Sequence, residues 1–188
     1  YTRWGITKAV DGLNFQVRAG ETLGIVGESG CGKSMTALSL LRLAPKPAAR
    51  TVSGQIFLEG EDILERSESD MRFIRGQKIS MILQDPMTSL NPVFTVGNQM
   101  VEGLGLYYQQ EDSKSLKGRA VDILRKMGVA APERRVMDYP HQMSGGMKQR
   151  VVGAMAISGT PKVLICDEPT TALDVTIQAQ YLRLLKQV

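Results

Sequence analysis

Cysteine and histidine are scarce in this sequence: two cysteines, Cys31 and Cys166, and one histidine, His141, in 188 residues. The cysteines lie far apart, each inside a motif, which suits free thiols in a reducing compartment and argues against a disulfide framework. Aromatic residues make up only 5% of the chain. No run of about 18 apolar residues, the length a membrane helix needs, occurs, and nothing resembles a signal peptide. Lys and Arg exceed Asp and Glu by 23 to 19 for a net charge of +4, but they are scattered rather than blocked, so nucleic acid is not expected as a partner. What is present, 43% hydrophobic and 22% charged residues, is the composition of a soluble globular protein, with the cytosol as default location. A chain of this length buries roughly two thirds of its unfolded surface and fits one domain, or one core with an inserted subdomain. It starts at Tyr1 without a methionine and stops at Val188 inside a helical pattern, so it reads as a fragment.

The pattern along the chain changes twice. Leu13, Phe15 and Val17 alternate on one face and ETLGIVG is a short apolar run ending in glycine, so two strands are expected there. Lys33 to Leu43 reads as a helix stopped before Pro45, and GQIFLEG and KISMIL read as further strands. From Thr95 to Ser158 the spacing becomes helical, with Leu116, Ala120, Ile123, Leu124 and Met127 on one face, Gly128 closing that helix and Pro132 opening the next. KVLICD returns to strand style before a helix from about Val175. The expectation is an α/β core split by a helical insertion.

GESGCGKS, Gly27 to Ser34, fits the P-loop pattern of a glycine, four residues and Gly-Lys-Ser, between an expected strand and an expected helix. Gly27, Gly30 and Gly32 let the backbone curl so that the amides of Glu28, Ser29, Cys31 and their neighbours point at phosphates, and the helix adds its positive end through Lys33, Ser34 and Met35. Lys33 would reach the β- and γ-phosphates and Ser34 would hold Mg²⁺. In VLICDEP, Asp167 ends an apolar strand where it can enter the metal shell, and Glu168, on the other side of the pleat, can face the attacking water as base. The competing readings are an incidental glycine turn and a solvated strand end; each loses weight because the two motifs share one chain.

Those motifs leave kinases, GTPases and helicases open, and YPHQMSGGMKQR narrows the choice. Ser144 is suited to cap a helix through Val151, Met155 and Ile157, and Gly145 and Gly146 leave its first amides unshielded. Lys148 and Arg150, rather than acids, occupy the first turns, so an exogenous phosphate is the expected occupant, one that could belong to a nucleotide held by a second subunit. His141 is read as a structural or surface imidazole.

With GESGCGKS, the glutamine of MILQDP, MSGGMKQR, VLICDEP and TALD in that order, the sequence resembles the ATP-binding cassette (ABC) ATPases. QDPMTSLNP, YPHQMSGGMKQR and DEPTTALDVTIQAQ are similar to the oligopeptide and dipeptide importer branch, and Met147, where many cassettes carry glutamine, is shared by that branch. The resemblance implies a P-loop core with a mixed sheet, at 1–90 and 159–188, and a helical subdomain at about 91–158, C-terminally truncated. It implies ATP and Mg²⁺ as cofactors, Gln84 on the metal and attacking water, and Ser144, Gly145 and Gly146 on the γ-phosphate in trans. Thr171 to Asp174 resemble the loop that crosses the dimer interface, and Tyr1, with Trp4 nearby, resembles the aromatic that stacks on adenine. The implied partners are a second, non-identical ATPase subunit, membrane permease subunits and, indirectly, an extracytoplasmic solute-binding protein, at the inner face of the cell membrane. The family's γ-phosphate histidine would lie beyond Val188, so weak nucleotide binding and little turnover are expected of these 188 residues alone. A cassette that remodels ribosomes or DNA is the alternative, but the insertion carries neither heptads nor a basic stripe.

Overall fold

The computed structural model describes residues 5, 7–171 and 173–187, without the side chains of Pro86, Met87 and Thr176. Tyr1 and Trp4 therefore lie outside the described residues. The chain divides into two units, Tyr1–Arg75 and Gly76–Val188.

In the first unit, α1 (Lys33–Leu40) follows the glycine-rich loop, β1 (Phe57–Leu58) and β2 (Glu61–Asp62) form an antiparallel hairpin, and α2 (Glu68–Gln77) begins within the unit and ends just past it. The hairpin turns on Glu59 at φ 54 and Gly60 at φ 85, the two left-handed residues whose twist matches paired strands. The Asp62 carboxylate accepts from the amides of Ile56 and Leu64 at 3.1 and 3.0 Å, which holds the ribbon closed. Ala37, Leu41, Ile63, Met71 and Ile74 are its buried apolar residues. Arg75 Nε donates to the Leu41 carbonyl at 2.9 Å, so a side chain of α2 satisfies an acceptor left at the end of α1.

Two expectations are corrected here. The stretches around Leu13–Val17 and Leu23–Val26 are not strands, and these apolar side chains are exposed, Val26 at 96%. Alternation supplies a face, but a strand also needs a neighbour to pair its N–H and C=O groups, and β1 and β2 are the only strands described in this unit. Likewise α1 ends at Leu40 rather than Leu43, because Arg42 takes a left-handed φ of 54 that no right-handed helix can include.

The second unit holds a parallel pair, β3 (Ile79–Ile82) and β4 (Val163–Cys166), with Ile79 opposite Val163 and Ile82 opposite Cys166. A parallel pair needs a crossover, and here it is helical: α3 (Pro86–Ser89), α4 (Val96–Tyr107), α5 (Ser113–Lys126), α6 (Pro132–Arg135) and α7 (Gly145–Ile157), with α8 (Val175–Gln187) after β4. Thr95, Asp112 and Ser144 cap α4, α5 and α7 through their side chains. Gly128 at φ 68 follows the end of α5 and Pro132 opens α6, both as the sequence leads one to expect.

The core of this unit joins Met100 and Leu104 of α4, Leu116, Ala120 and Leu124 of α5, and Val151, Val152 and Ala154 of α7 to Ile82 and Tyr181. The four-residue spacing makes one stripe on α4 and one on α5, whereas α7 is buried nearly all round, and each buried leucine contributes roughly 2 kcal/mol. Gly153 is required where α7 meets α8, since a Cβ there would sit 2.6 Å from Tyr181 Oη and 2.7 Å from Met127 Cε. Among the described residues no helix is long and apolar enough to cross a membrane.

Candidate functional site

The loop before α1 is an exposed curl of backbone. The Cys31 amide donates to Glu28 O at 3.3 Å, and Gly30 and Gly32 take φ of 82 and 99. At Gly32 glycine is obligatory twice over, because a Cβ would also lie 2.4 Å from Ala9 O. Gly32 is the N-cap of α1, offers no side-chain cap, and no acid occupies the first turn. The amides of Lys33, Ser34 and Met35 thus open the helix with its positive end uncompensated. Lys33 Nζ arches back over the curl and donates to Gly27 O at 2.7 Å and Glu28 O at 2.9 Å, with Cys31 Sγ 4.0 Å away. A cation above a nest of amides is a donor set without an anion, and it fits a polyphosphate.

In the second unit the β3–β4 ladder positions the acids. The Asp167 amide donates to Ile82 O at 3.0 Å, carrying the pairing one residue past β4. Because Ile82 stands opposite Cys166, Gln84 and Glu168 each lie two residues beyond a matched strand end, and Gln84 Nε2 donates to Glu168 Oε2 at 2.8 Å. Register thus brings residues far apart in sequence to the same end of the sheet.

Glu168 corrects the pleat reading. Its φ is 46, so it has left the strand and stands in a left-handed turn, a conformation that costs a side-chain-bearing residue about 1–2 kcal/mol. Strain of this kind persists only where the surroundings over-determine it. Thr171 Oγ1 donates to Glu168 O at 3.1 Å, Gln149 Nε2 to Pro169 O at 2.6 Å, and Gln178 Nε2 to Thr170 O and Leu173 O at 3.1 and 2.9 Å. Gln149 and Gln178 are absent from the sequence reading. A signal existed for the first, since Gln149 shares a helical face with Val152 and Ala156 and is polar on an apolar stripe. For Gln178, on α8, no comparable signal is present.

No cluster of three or more His, Cys, Asp or Glu capable of holding a metal is found among the described residues. Mg²⁺ is held by one or two protein oxygens together with substrate phosphates, and Ser34 in the first unit and Asp167 in the second each carry an oxygen of that kind. Cys166 is exposed by surface, but desolvation in the packed strand raises its thiol to about 11.

At the start of α7, Ser144 Oγ accepts from the Met147 amide at 3.4 Å and no acid lies in the first turn. A Cβ at Gly145 would meet nothing, and one at Gly146 would make only ordinary contacts at 3.7 Å. Packing among the described residues therefore does not require glycine at either position. Arg150 turns away from the helix start, donating to Met127 O at 2.9 Å and reaching Gln180 Oε1 at 3.5 Å, so it supports the end of α5. His141 is exposed and stacked on Tyr139 at 5.5 Å, a surface imidazole as expected.

Residues 10–171 match the family described as ABC transporter. The chain is 55% identical over 98% of its length to a probable peptide ABC transporter ATP-binding protein of Sinorhizobium fredii, covering 55% of that protein. It is 50% identical over 100% of its length to the oligopeptide transport ATP-binding protein OppD of Bacillus subtilis, covering 52% of it. The chain thus spans about half the length of the curated relatives it matches. Its backbone superposes with a TM-score of 0.82 on the dimeric ATP-binding cassette MJ0796 in a post-hydrolysis state bound to ADP and Pi, at 27% identity over 95% of this chain and 74% of that one. The amide-lined loop before α1, the acids after β4 and the glycine-led α7 thus stand in a chain with the α/β P-loop fold of the ATPase cassettes, and it belongs to the ABC transporter family.

Proposed function

We propose that this chain is the ATP-binding and hydrolysing part of a subunit that powers a membrane importer for oligopeptides, dipeptides or related small solutes. The observation that carries the reading is the uncapped, amide-lined start of α1 with Lys33 folded over it, in a chain that also pairs Gln84 with Glu168. The peptide-transport names of the relatives support the substrate class. The loop Gly27–Ser34 binds the phosphates, with Lys33 exchanging its two carbonyl partners for phosphate oxygens. Ser34, Gln84 and Asp167 would hold Mg²⁺, which when bound would neutralise charge developing on the phosphates. Glu168 takes the proton of the attacking water, and Gln84, hydrogen-bonded to it, orients the carboxylate. Ser144, Gly145 and Gly146 present the positive end of α7 to the γ-phosphate of a nucleotide on a second ATPase subunit, consistent with glycines that this chain's own packing does not need. In this reading the core spans 1–90 and 159–188, the helical subdomain about 91–158 faces permease subunits, and the protein sits on the inner face of the membrane.

The test is a pair of substitutions in the intact protein. Glu168→Gln is expected to retain ATP binding while turnover falls about a hundredfold or more. Lys33→Ala is expected to weaken ATP binding about tenfold, since it removes the cradle's one flexible cation. Wild-type hydrolysis by the first or undiminished affinity in the second would overturn the corresponding assignment.

A further inference from the structure

We infer that Gln149 is a positioning residue for the Glu168 carboxylate, acting through the carbonyl of Pro169. Its side chain is polar yet 1% exposed, and a buried amide is tolerated only where hydrogen-bonded. Nε2 donates to Pro169 O at 2.6 Å. The proline ring fixes its own φ near about −65°, so the Glu168–Pro169 pair behaves as a short stiff lever. Gln149 holds one of the lever's carbonyls and Thr171 Oγ1 the other, at 3.1 Å. With both held, Glu168 stays at φ 46 and its carboxylate stays on Gln84 Nε2 at 2.8 Å. With Pro169 O released, Glu168 is free to relax toward an ordinary φ, which carries the carboxylate off Gln84. Asp167 is unaffected, because its amide is tied separately to Ile82 O. Loss of Gln149 should therefore lower kcat and leave nucleotide binding in place.

The inference rests on Glu168 being the general base, and the experiment separates the two. Gln149→Met, similar in size but without a donor, is compared with Glu168→Gln and Tyr181→Phe in the intact protein. Tyr181 serves as the packing control, since its hydroxyl bonds the main-chain carbonyl of Gln149 at 3.2 Å and not the side chain. Gln149→Met is expected to keep its ATP Kd and KM within about twofold and to lose about tenfold or more in kcat, while Tyr181→Phe stays within about twofold throughout. An unchanged kcat in Gln149→Met, or an equal loss in Tyr181→Phe, overturns the proposal. Should Gln149→Met fail to fold, Gln149→Glu carries the test: its carboxyl can donate to Pro169 O only when protonated, so its kcat relative to the parent falls as pH rises at constant circular dichroism. A flat ratio overturns the proposal. If Glu168→Gln hydrolyses at the parental rate, the base assignment fails; if Glu168→Gln is inactive and Gln149→Met fully active, only the positioning role fails.

Discussion

Cys31 and Cys166 are both exposed, yet their surroundings differ. Desolvation raises the Cys166 thiol to about 11, so at pH 8 it stays almost wholly protonated. Cys31 lies in the open curl, with the Lys33 ammonium 4.0 Å from its sulfur. Alkylation at pH 8 is expected to modify Cys31 first, to block ATP binding, and to be slowed by added ATP; mass spectrometry of the labelled peptides reads all three. Equal rates with and without ATP would separate Cys31 from the cradle. Single residues also mark the limit of what the sequence discloses. Lys33, Asp167 and Glu168 are legible because each motif requires that chemistry at that spacing. The left-handed turn at Glu168 is not legible, since φ 46 there goes with the bonds that Gln149 and Thr171 make to the turn carbonyls rather than with any local preference of glutamate.

Helix caps show two uses of one local rule. Asp112 accepts from the Ser115 amide at 2.7 Å, a short charge-assisted bond at the start of α5, whereas Ser144 accepts from Met147 at 3.4 Å, near the limit of a hydrogen bond. The stronger cap serves stability and the weaker one leaves the amides of α7 available. Asp112→Ala is therefore expected to lower unfolding stability by about 1 kcal/mol with ATPase activity retained. Ser144→Ala is expected to change stability by only a few tenths of a kcal/mol while reducing turnover. Urea unfolding and steady-state hydrolysis on both variants check the crossing, and parallel losses in the two would remove α7 from the site. Elements with strong local signals, α5 with its Leu116–Ala120–Leu124 face closed by Gly128 or α6 opened by Pro132, were readable from spacing and from glycine and proline, whereas the Asp112 cap was not read. The alternation around Leu13–Val17 was not sufficient, because a strand is completed by a neighbour that no local pattern supplies.

At the scale of the molecule, the two units differ in how much they bury. Among the described residues the first has five buried apolar ones, Ala37, Leu41, Ile63, Met71 and Ile74, whereas the second carries an extended cluster over α4, α5, α7 and Tyr181. Opening free energy follows burial and backbone pairing, so the exposed stretch that leads into the cradle should open first and α7 last. Hydrogen exchange is expected to be fast at 13–17 and 22–26 without nucleotide and slow at 151–157. ATP with Mg²⁺ adds acceptors to the amides of 27–35, and binding to the folded state stabilises whatever must be folded to bind. Exchange at 22–35 should therefore slow on addition of nucleotide, while 151–157, already protected by packing, should change little. Identical exchange at 22–35 in both conditions would mean that the curl before α1 does not hold phosphate, and with it the functional reading of the whole chain would fall.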